Sequence, residues 1–138
     1  MGRAIGLAAQ PGDVVLLVGE LGAGKTALAQ GVGLGLGVSD PINSPTFVLL
    51  REYHGRLPLY HYDLYRLPNV EPTVTREWEE FLYGDGVSLV EWANLASGLL
   101  PGEHLLIEFS IESETSRVLE LTAAGARHRE LLSAVQCS

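Results

Sequence analysis

The sequence is poor in cysteine, lysine and aromatic residues, and the shortages limit what the chain can be. Its single cysteine, Cys137, excludes a disulfide framework and a zinc site built from cysteines. No apolar run approaches the roughly 18 residues that a membrane-spanning helix needs, so we expect no membrane partner. The lack of disulfides is typical of a protein of the reducing cytoplasm, which is the predicted location.

Basic residues are scarce as well. The chain carries 9 Lys and Arg against 17 Asp and Glu, a formal net charge of −8. Contacts to nucleic-acid phosphates need clustered Lys and Arg, so we expect the chain not to hold RNA by itself. Any role in RNA chemistry would pass through a partner protein. A length of 138 residues with 46% hydrophobic content predicts one α/β domain over residues 1–138.

One motif stands out among the residues that are present. Residues 19–26 read Gly-Glu-Leu-Gly-Ala-Gly-Lys-Thr and match G-x-x-x-x-G-K-[ST], whose backbone N–H groups cradle phosphates. The apolar run 14–18 precedes the motif as a buried strand would, and helix-spaced apolar residues follow it. Strand, glycine-rich turn and helix are the context that a phosphate-binding loop requires, so a plain flexible turn is disfavoured.

The loop predicts ATP and Mg²⁺ as ligands. Lys25 is expected to reach the β- and γ-phosphates, and the Thr26 hydroxyl to ligate Mg²⁺. Because Lys25 is the only lysine, the Asn-Lys-x-Asp motif by which GTPases read their base is absent. The loop residues predicted to bind the nucleotide are Glu20, Leu21, Gly22, Ala23, Gly24, Lys25, Thr26 and Ala27.

Two apolar strands end in carboxylates that hydrolysis needs. The run 87–90 leads to Glu91, and the run 59–62 leads to Asp63. One carboxylate is expected to hold Mg²⁺ and the other to orient the attacking water. Each has the alternative role of capping the turn or helix that follows it.

Three further side chains are candidates for the same site. Thr46 lies where switch segments sense a γ-phosphate, although it equally suits the plain start of a strand. Trp92 is expected either beside the nucleotide or packed behind its strand. His61 follows the alternation of its strand and lies either near the site or on a solvent-facing surface.

The remaining pattern predicts a P-loop NTPase-like three-layer α/β fold, with a mixed sheet that has a parallel core and an antiparallel part, flanked by helices. The predicted helices cover 1–10, 25–35, 71–82, 93–99 and 123–135, and the predicted strands cover 14–18, 46–53, 57–63, 87–92, 105–112 and 117–122, with a hairpin turn at 54–56. Glycines are expected to fray the second helix, which should stop at Gly35 or Gly37.

Four segments together resemble the TsaE (YjeE) family, the P-loop ATPases of bacterial tRNA threonylcarbamoyladenosine (t6A) biosynthesis. They are the loop 19–26, Ser-Pro-Thr-Phe at 44–47, His-Tyr-Asp-Leu-Tyr-Arg-Leu at 61–67 and Val-Glu-Trp at 90–92. Their order and spacing match over about residues 10–110. The first segment is shared by a vast superfamily, whereas the combination is specific.

The resemblance implies an ATPase that is weak alone and acts with TsaD and TsaB subunits. Its ATP turnover would support formation of the threonylcarbamoyl group on adenosine 37 of tRNAs reading codons that begin with A. The tRNA would be contacted only indirectly, and the protein alone would be a monomer or weak oligomer. The implied site comprises Lys25 and the loop amides for phosphates, Thr26 for Mg²⁺, Asp63 and Glu91 as metal and catalytic carboxylates, Thr46 as sensor and Trp92 beside the nucleotide.

Two other functions stay open on the residues alone. A small-molecule kinase would use the same loop with arginines over the transferred phosphate, and the available arginines are Arg51, Arg56, Arg66 and Arg76. A binding module with structural ATP would tolerate Glu91→Gln or Asp63→Asn without loss of function.

Overall fold

The computed structural model describes residues 2–19, 24–39, 50–63, 84–91, 102–114 and 117–136, with backbone alone at 50, 63 and 117. The elements in chain order are α1 (Gly2–Ala8), β1 (Val14–Gly19), α2 (Lys25–Leu36), β2 (Leu50–His54), β3 (Pro58–Asp63), β4 (Val87–Glu91), β5 (His104–Ile111), β6 (Arg117–Ala124) and α3 (Ala126–Gln136). The predicted helices at 71–82 and 93–99, and the predicted start of a strand at 46–49, lie outside the described residues.

The strands form one sheet in the order β2-β3-β4-β1-β5-β6. β1 pairs in parallel with β4 and β5, and β3 pairs in parallel with β4. The outer strands β2 and β6 run antiparallel to β3 and β5. The predicted mixed sheet with a parallel core and flanking helices is confirmed. Because parallel strands end on the same side, β1, β3 and β4 share a carboxyl edge, and their starting residues share an amino edge.

The core lies between one face of the sheet and the helices. Alternate residues of β1, Val15 and Leu17, join a buried cluster with Ile5, Val32 and Leu131 from the three helices named above. Burial of each such side chain contributes about 1.5–3 kcal/mol. Since α2 covers this face, the first residue of α2 comes to lie beside the carboxyl edge. No helix in the described ranges is long and apolar enough to cross a membrane.

Helix α2 continues through its glycines to Leu36 and ends at Gly37, which adopts a left-handed φ of 77°. The stop at Gly37 was predicted, but the expected fraying does not occur. A Cβ on Gly35 would lie 2.3 Å from the Arg3 carbonyl oxygen and 2.8 Å from Gly6 Cα. The glycines let α1 and α2 approach closely, and this packing offsets their low helix propensity. The contact is formed by Gly2, Gly6, Gly31 and Gly35.

Two predicted boundaries are wrong by a few residues, because strand pairing extends further than the sequence pattern indicated. His54 pairs with Pro58, so it belongs to β2 and not to the turn. Ala124 pairs with His104, which delays the last helix to Ala126. Gly125, with a φ of 96°, makes the break between the two elements.

At the amino edge, the buried Asp13 forms an ion pair with the partly exposed Arg127. Arg127 donates from Nε to Asp13 Oδ1 at 3.0 Å and from Nη2 to Asp13 Oδ2 at 2.7 Å. The same Asp13 Oδ2 accepts from the Gln10 backbone N–H at 2.8 Å. The hydrogen bonds from Arg127 to Asp13 raise the pKa of Arg127. The carboxylate is thereby fully engaged in joining the start of β1 to α3.

Two further side chains secure the same edge. His128 Nε2 accepts from the Val14 backbone N–H at 3.0 Å, and burial lowers the pKa of His128. Arg56 Nη2 donates to the carbonyls of Gly6 at 2.8 Å and Ala9 at 3.0 Å, at the end of α1. The last carbonyls of a helix need such donors, because they have no partner within the helix.

Candidate nucleotide-binding site

The predicted phosphate-binding loop joins the end of β1 to the start of α2, and residues 20–23 of it lie outside the described residues. Gly24 precedes the helix with a left-handed φ of 103°, and a Cβ there would meet nothing within 4 Å. Glycine is therefore required at this position by the backbone angle and not by space. The first turn of α2 contains no acidic residue. Its N–H groups and the helix dipole thus favour an anion at this end.

Gly19 opens the loop at a point of close packing. A Cβ on Gly19 would lie 2.7 Å from Phe109 Cβ and 2.9 Å from the Phe109 carbonyl oxygen on the neighbouring strand β5. Only a residue without a side chain lets β5 approach the strand end so closely. The sequence motif assigns this glycine to the loop, and the tertiary structure adds a second reason for it.

The Lys25 side chain joins the start of α2 to the end of β1. Its side chain is 5% exposed, and Nζ donates a hydrogen bond to the Gly19 carbonyl oxygen at 2.7 Å. A buried ammonium group requires such partners, because the loss of hydration is otherwise costly. The bond holds the only lysine charge of the chain beside the carboxyl edge. Thr26 and Ala27 follow it as exposed residues of the first helical turn.

The strand-end carboxylates occur at adjacent positions of this edge. Asp63 of β3 is the register partner of Glu91 of β4, and Glu91 in turn is the register partner of Leu17 of β1. The structure thus brings the two positions, which are 28 residues apart in the chain, next to each other and near the strand that enters the loop. The proximity follows from the parallel pairing of the three strands.

Glu91 is buried and makes a hydrogen bond to a histidine. His61 Nε2 lies 2.9 Å from Glu91 Oε2, and the two side chains are 0% and 4% exposed. The alternative that placed His61 on a solvent-facing surface is therefore wrong. The sequence held a signal for this contact, since His61 precedes Asp63 by two residues and successive residues of a strand alternate between faces. Only the pairing of β3 with β4 identified Glu91 as the partner.

Several predicted site residues lie outside the described residues, so their roles stay predictions: Glu20, Leu21, Gly22, Ala23, Thr46 and Trp92. Asp63 is placed by its backbone alone. Among the residues that the structure does describe, sequence reasoning missed the Gly19–Phe109 contact. No local signal marks Phe109, because that contact depends on the register between β1 and β5.

A family model and curated relatives place this chain beside known proteins. A family model described as threonylcarbamoyl adenosine biosynthesis protein TsaE matches residues 1–119. The tRNA threonylcarbamoyladenosine biosynthesis protein TsaE of Bacillus subtilis (strain 168) is 44% identical over 124 residues, which cover 89% of this chain and 77% of that protein. The protein of the same name from Treponema pallidum (strain Nichols) is 42% identical over 123 residues, covering 89% and 90%.

A solved structure agrees with these matches. The crystal structure of Bacillus subtilis YdiB superposes on the chain with a TM-score of 0.81 at 36% sequence identity. The superposition covers 99% of this chain and 84% of that one.

Proposed function

The chain belongs to the TsaE family, and on that premise we propose that it is the ATP-binding and ATP-hydrolysing subunit needed to form the threonylcarbamoyl group on adenosine 37 of tRNAs reading codons that begin with A. The observation that carries the ATPase assignment is the buried Lys25 at the start of α2, beside the strand ends of Asp63 and Glu91. The names of its relatives support the link to t6A. We propose that residues 1–138 act as a single P-loop ATPase domain.

The described part of the loop fits the phosphates of ATP. Lys25 supplies one positive charge, and the acid-free first turn of α2 supplies backbone N–H groups. Thr26, exposed in that turn, is the proposed Mg²⁺ ligand. Held there, Mg²⁺ would neutralise negative charge on the phosphates. The proposed nucleotide-binding residues remain Glu20, Leu21, Gly22, Ala23, Gly24, Lys25, Thr26, Ala27, Thr46 and Trp92.

Hydrolysis is assigned to three residues with separate tasks. Lys25 stabilises the negative charge that develops on the transferred phosphoryl group. Asp63 and Glu91 divide the remaining tasks, one serving as a Mg²⁺ ligand and the other orienting the attacking water. Asp63 and Glu91 are register partners on adjacent strands. This supports the division, because two neighbouring positions at one edge of the sheet can serve one bound nucleotide.

The partners are proposed from the family and from the charge of the chain. We propose that the ATP hydrolysis of the isolated protein is weak and that TsaD and TsaB subunits stimulate it. The proposed location is the cytoplasm. A net charge of −8 supports a subunit that leaves tRNA contacts to its partners. The protein alone is proposed to be a monomer or weak oligomer.

The test is ATP hydrolysis measured with and without the TsaD–TsaB pair. We expect a low rate alone, a higher rate with the pair, and loss of the stimulated rate in Glu91→Gln. Equal rates in the wild-type protein and Glu91→Gln would contradict the catalytic assignment of Glu91, and ATP binding without hydrolysis, with or without the pair, would favour a module with structural ATP. A phosphorylated small-molecule acceptor formed at a useful rate would instead favour a kinase.

The kinase alternative gains no support from the described arginines. Arg56 donates to backbone carbonyls at the end of α1, on the amino edge and away from Lys25. Arg51 lies on the outer strand β2. Arg66 and Arg76 lie outside the described residues.

A further inference from the structure

The proposed function leaves one buried contact at the carboxyl edge unused, the hydrogen bond between His61 and Glu91. The two atoms, His61 Nε2 and Glu91 Oε2, are 2.9 Å apart in a buried setting. A buried carboxylate requires hydrogen-bond donors, and in the described part of the chain His61 is the side chain that supplies one. A carboxylate has no hydrogen to donate, so we take Nε2 of His61 as the donor in this bond.

The position of this bond restricts how Glu91 can move. The register pairs His61 with Leu89 and Asp63 with Glu91, so the bond runs diagonally between two parallel strands of the same sheet. Donor and acceptor are thus carried by rigid, adjacent strands and not by loops. With Oε2 held by His61, rotation of the carboxylate is restricted, and the direction of the second oxygen, Oε1, is set as well.

We propose that His61 is a positioning residue that holds the Glu91 carboxylate in its working orientation for ATP hydrolysis. The inference rests on the proposed function, because it gives His61 a role only through Glu91. Partners that orient a functional side chain commonly change activity by about 10- to 100-fold when they are removed. His61 itself is not expected to contact the nucleotide, so its loss should affect turnover and not ATP affinity.

The experiment compares two substitutions of His61 with a matched control. His61→Leu removes the donor, whereas His61→Gln retains an N–H donor at nearly the same reach. His128→Leu is the control, because His128 is also buried and hydrogen-bonded but lies at the opposite edge of the sheet. For each purified protein, kcat, KM for ATP, the affinity for a fluorescent ATP analogue and the unfolding temperature are measured.

We expect His61→Leu to lower kcat about 10- to 100-fold while KM and analogue affinity stay within about twofold. His61→Gln should recover most of the lost rate. His128→Leu should lower the unfolding temperature but retain kcat per folded molecule. A wild-type kcat in His61→Leu, or a loss that His61→Gln does not restore, would overturn the positioning role.

Glu91→Gln separates the failure of this inference from the failure of the proposed function. If Glu91→Gln loses hydrolysis while His61→Leu retains it, only the role of His61 is refuted. If Glu91→Gln retains hydrolysis, the catalytic role of Glu91 is wrong and the role of His61 falls with it, whereas a wild-type protein that neither binds the ATP analogue nor hydrolyses ATP would refute the proposed function itself.

A measurement without nucleotide tests the contact directly. In ¹⁵N-labelled protein, long-range ¹H–¹⁵N spectra of the imidazoles should show a hydrogen on Nε2 of His61 that exchanges slowly with solvent. That resonance should shift in Glu91→Gln and stay unchanged in His128→Leu. By contrast, Nε2 of His128 accepts a hydrogen bond and should carry no hydrogen. A His61 Nε2 without a hydrogen, or one insensitive to Glu91→Gln, would refute the proposed contact.

Discussion

The two edges of the parallel sheet use buried polar groups in different ways. At the amino edge, Asp13 accepts hydrogen bonds from Arg127 and from a backbone N–H, so both of its oxygens serve to join elements of the fold. At the carboxyl edge, within the part of the chain that the structure describes, Lys25 bonds to the Gly19 carbonyl and Glu91 to His61. Burial of a charge therefore does not by itself identify a functional site. The surrounding partners decide whether the charge stabilises the fold or is held for a ligand.

The largest effect is expected from the lysine of the carboxyl edge. Lys25→Ala should weaken ATP binding by at least about 100-fold, or about 2.8 kcal/mol, because the phosphates lose their one lysine partner. Titration with a fluorescent ATP analogue measures the loss, and thermal unfolding checks that the variant is folded. Unchanged affinity in a folded variant would overturn the site assignment.

At the amino edge, we expect a loss of stability without a loss of ATP affinity. Asp13→Asn should lower the free energy of unfolding by about 2 kcal/mol, because Arg127 keeps its charge without a carboxylate partner. The loss is smaller than for a fully buried pair, since the Arg127 side chain is 26% exposed and can recruit water. Denaturant unfolding measures it, and affinity for the ATP analogue should stay unchanged. A loss of affinity equal to that of Lys25→Ala would remove the distinction between the edges.

The contact between α1 and α2 tests whether close packing explains the glycines. Gly35→Ala should destabilise the protein by about 1 kcal/mol, because overpacking of about 1–3 kcal/mol exceeds the gain of about 1 kcal/mol in helix propensity. The control is Leu34→Ala on the same helix, where the side chain is 70% exposed. Urea unfolding measures the free energy of unfolding of the two variants and of the wild-type protein. A more stable Gly35→Ala would mean that the two helices separate without cost.

The smallest effect is a pH dependence from His128. Burial lowers its pKa below the ordinary value, so between the two values the unfolded chain binds more protons than the folded one. This contribution to stability is complete above about pH 6.5 and decreases as the pH falls below it, by no more than about 1.4 kcal/mol per pH unit.

Unfolding free energies at pH 7.5 and 5.5 measure that dependence. His128→Gln is the control, because glutamine can still accept the Val14 N–H but does not titrate. The wild-type protein should lose more stability between the two pH values than this variant does. Equal losses would show that His128 contributes nothing to the pH response of the amino edge.

Much of the fold was predictable because its signals are local. The apolar run before Gly19, the left-handed glycine after α2 and the alternation of Leu105, Ile107 and Phe109 each predicted an element that the structure contains. The element boundaries near His54 and Ala124 were not predictable, because they depend on how far a neighbouring strand extends. The same limit applies to Asp13 and Arg127, which are 114 residues apart in the chain and meet only in the folded protein.

For the site, local sequence patterns establish which groups are available: a phosphate-loop motif with one lysine, and two strands that end in carboxylates. Those features depend on residue type and on spacing within a short segment. Strand pairing in the folded protein makes Asp63 and Glu91 neighbours, brings Phe109 against Gly19, and places His61 within hydrogen-bond distance of Glu91. The reason is physical, since strand order and register arise from burial of the whole sheet and are not encoded in any single segment.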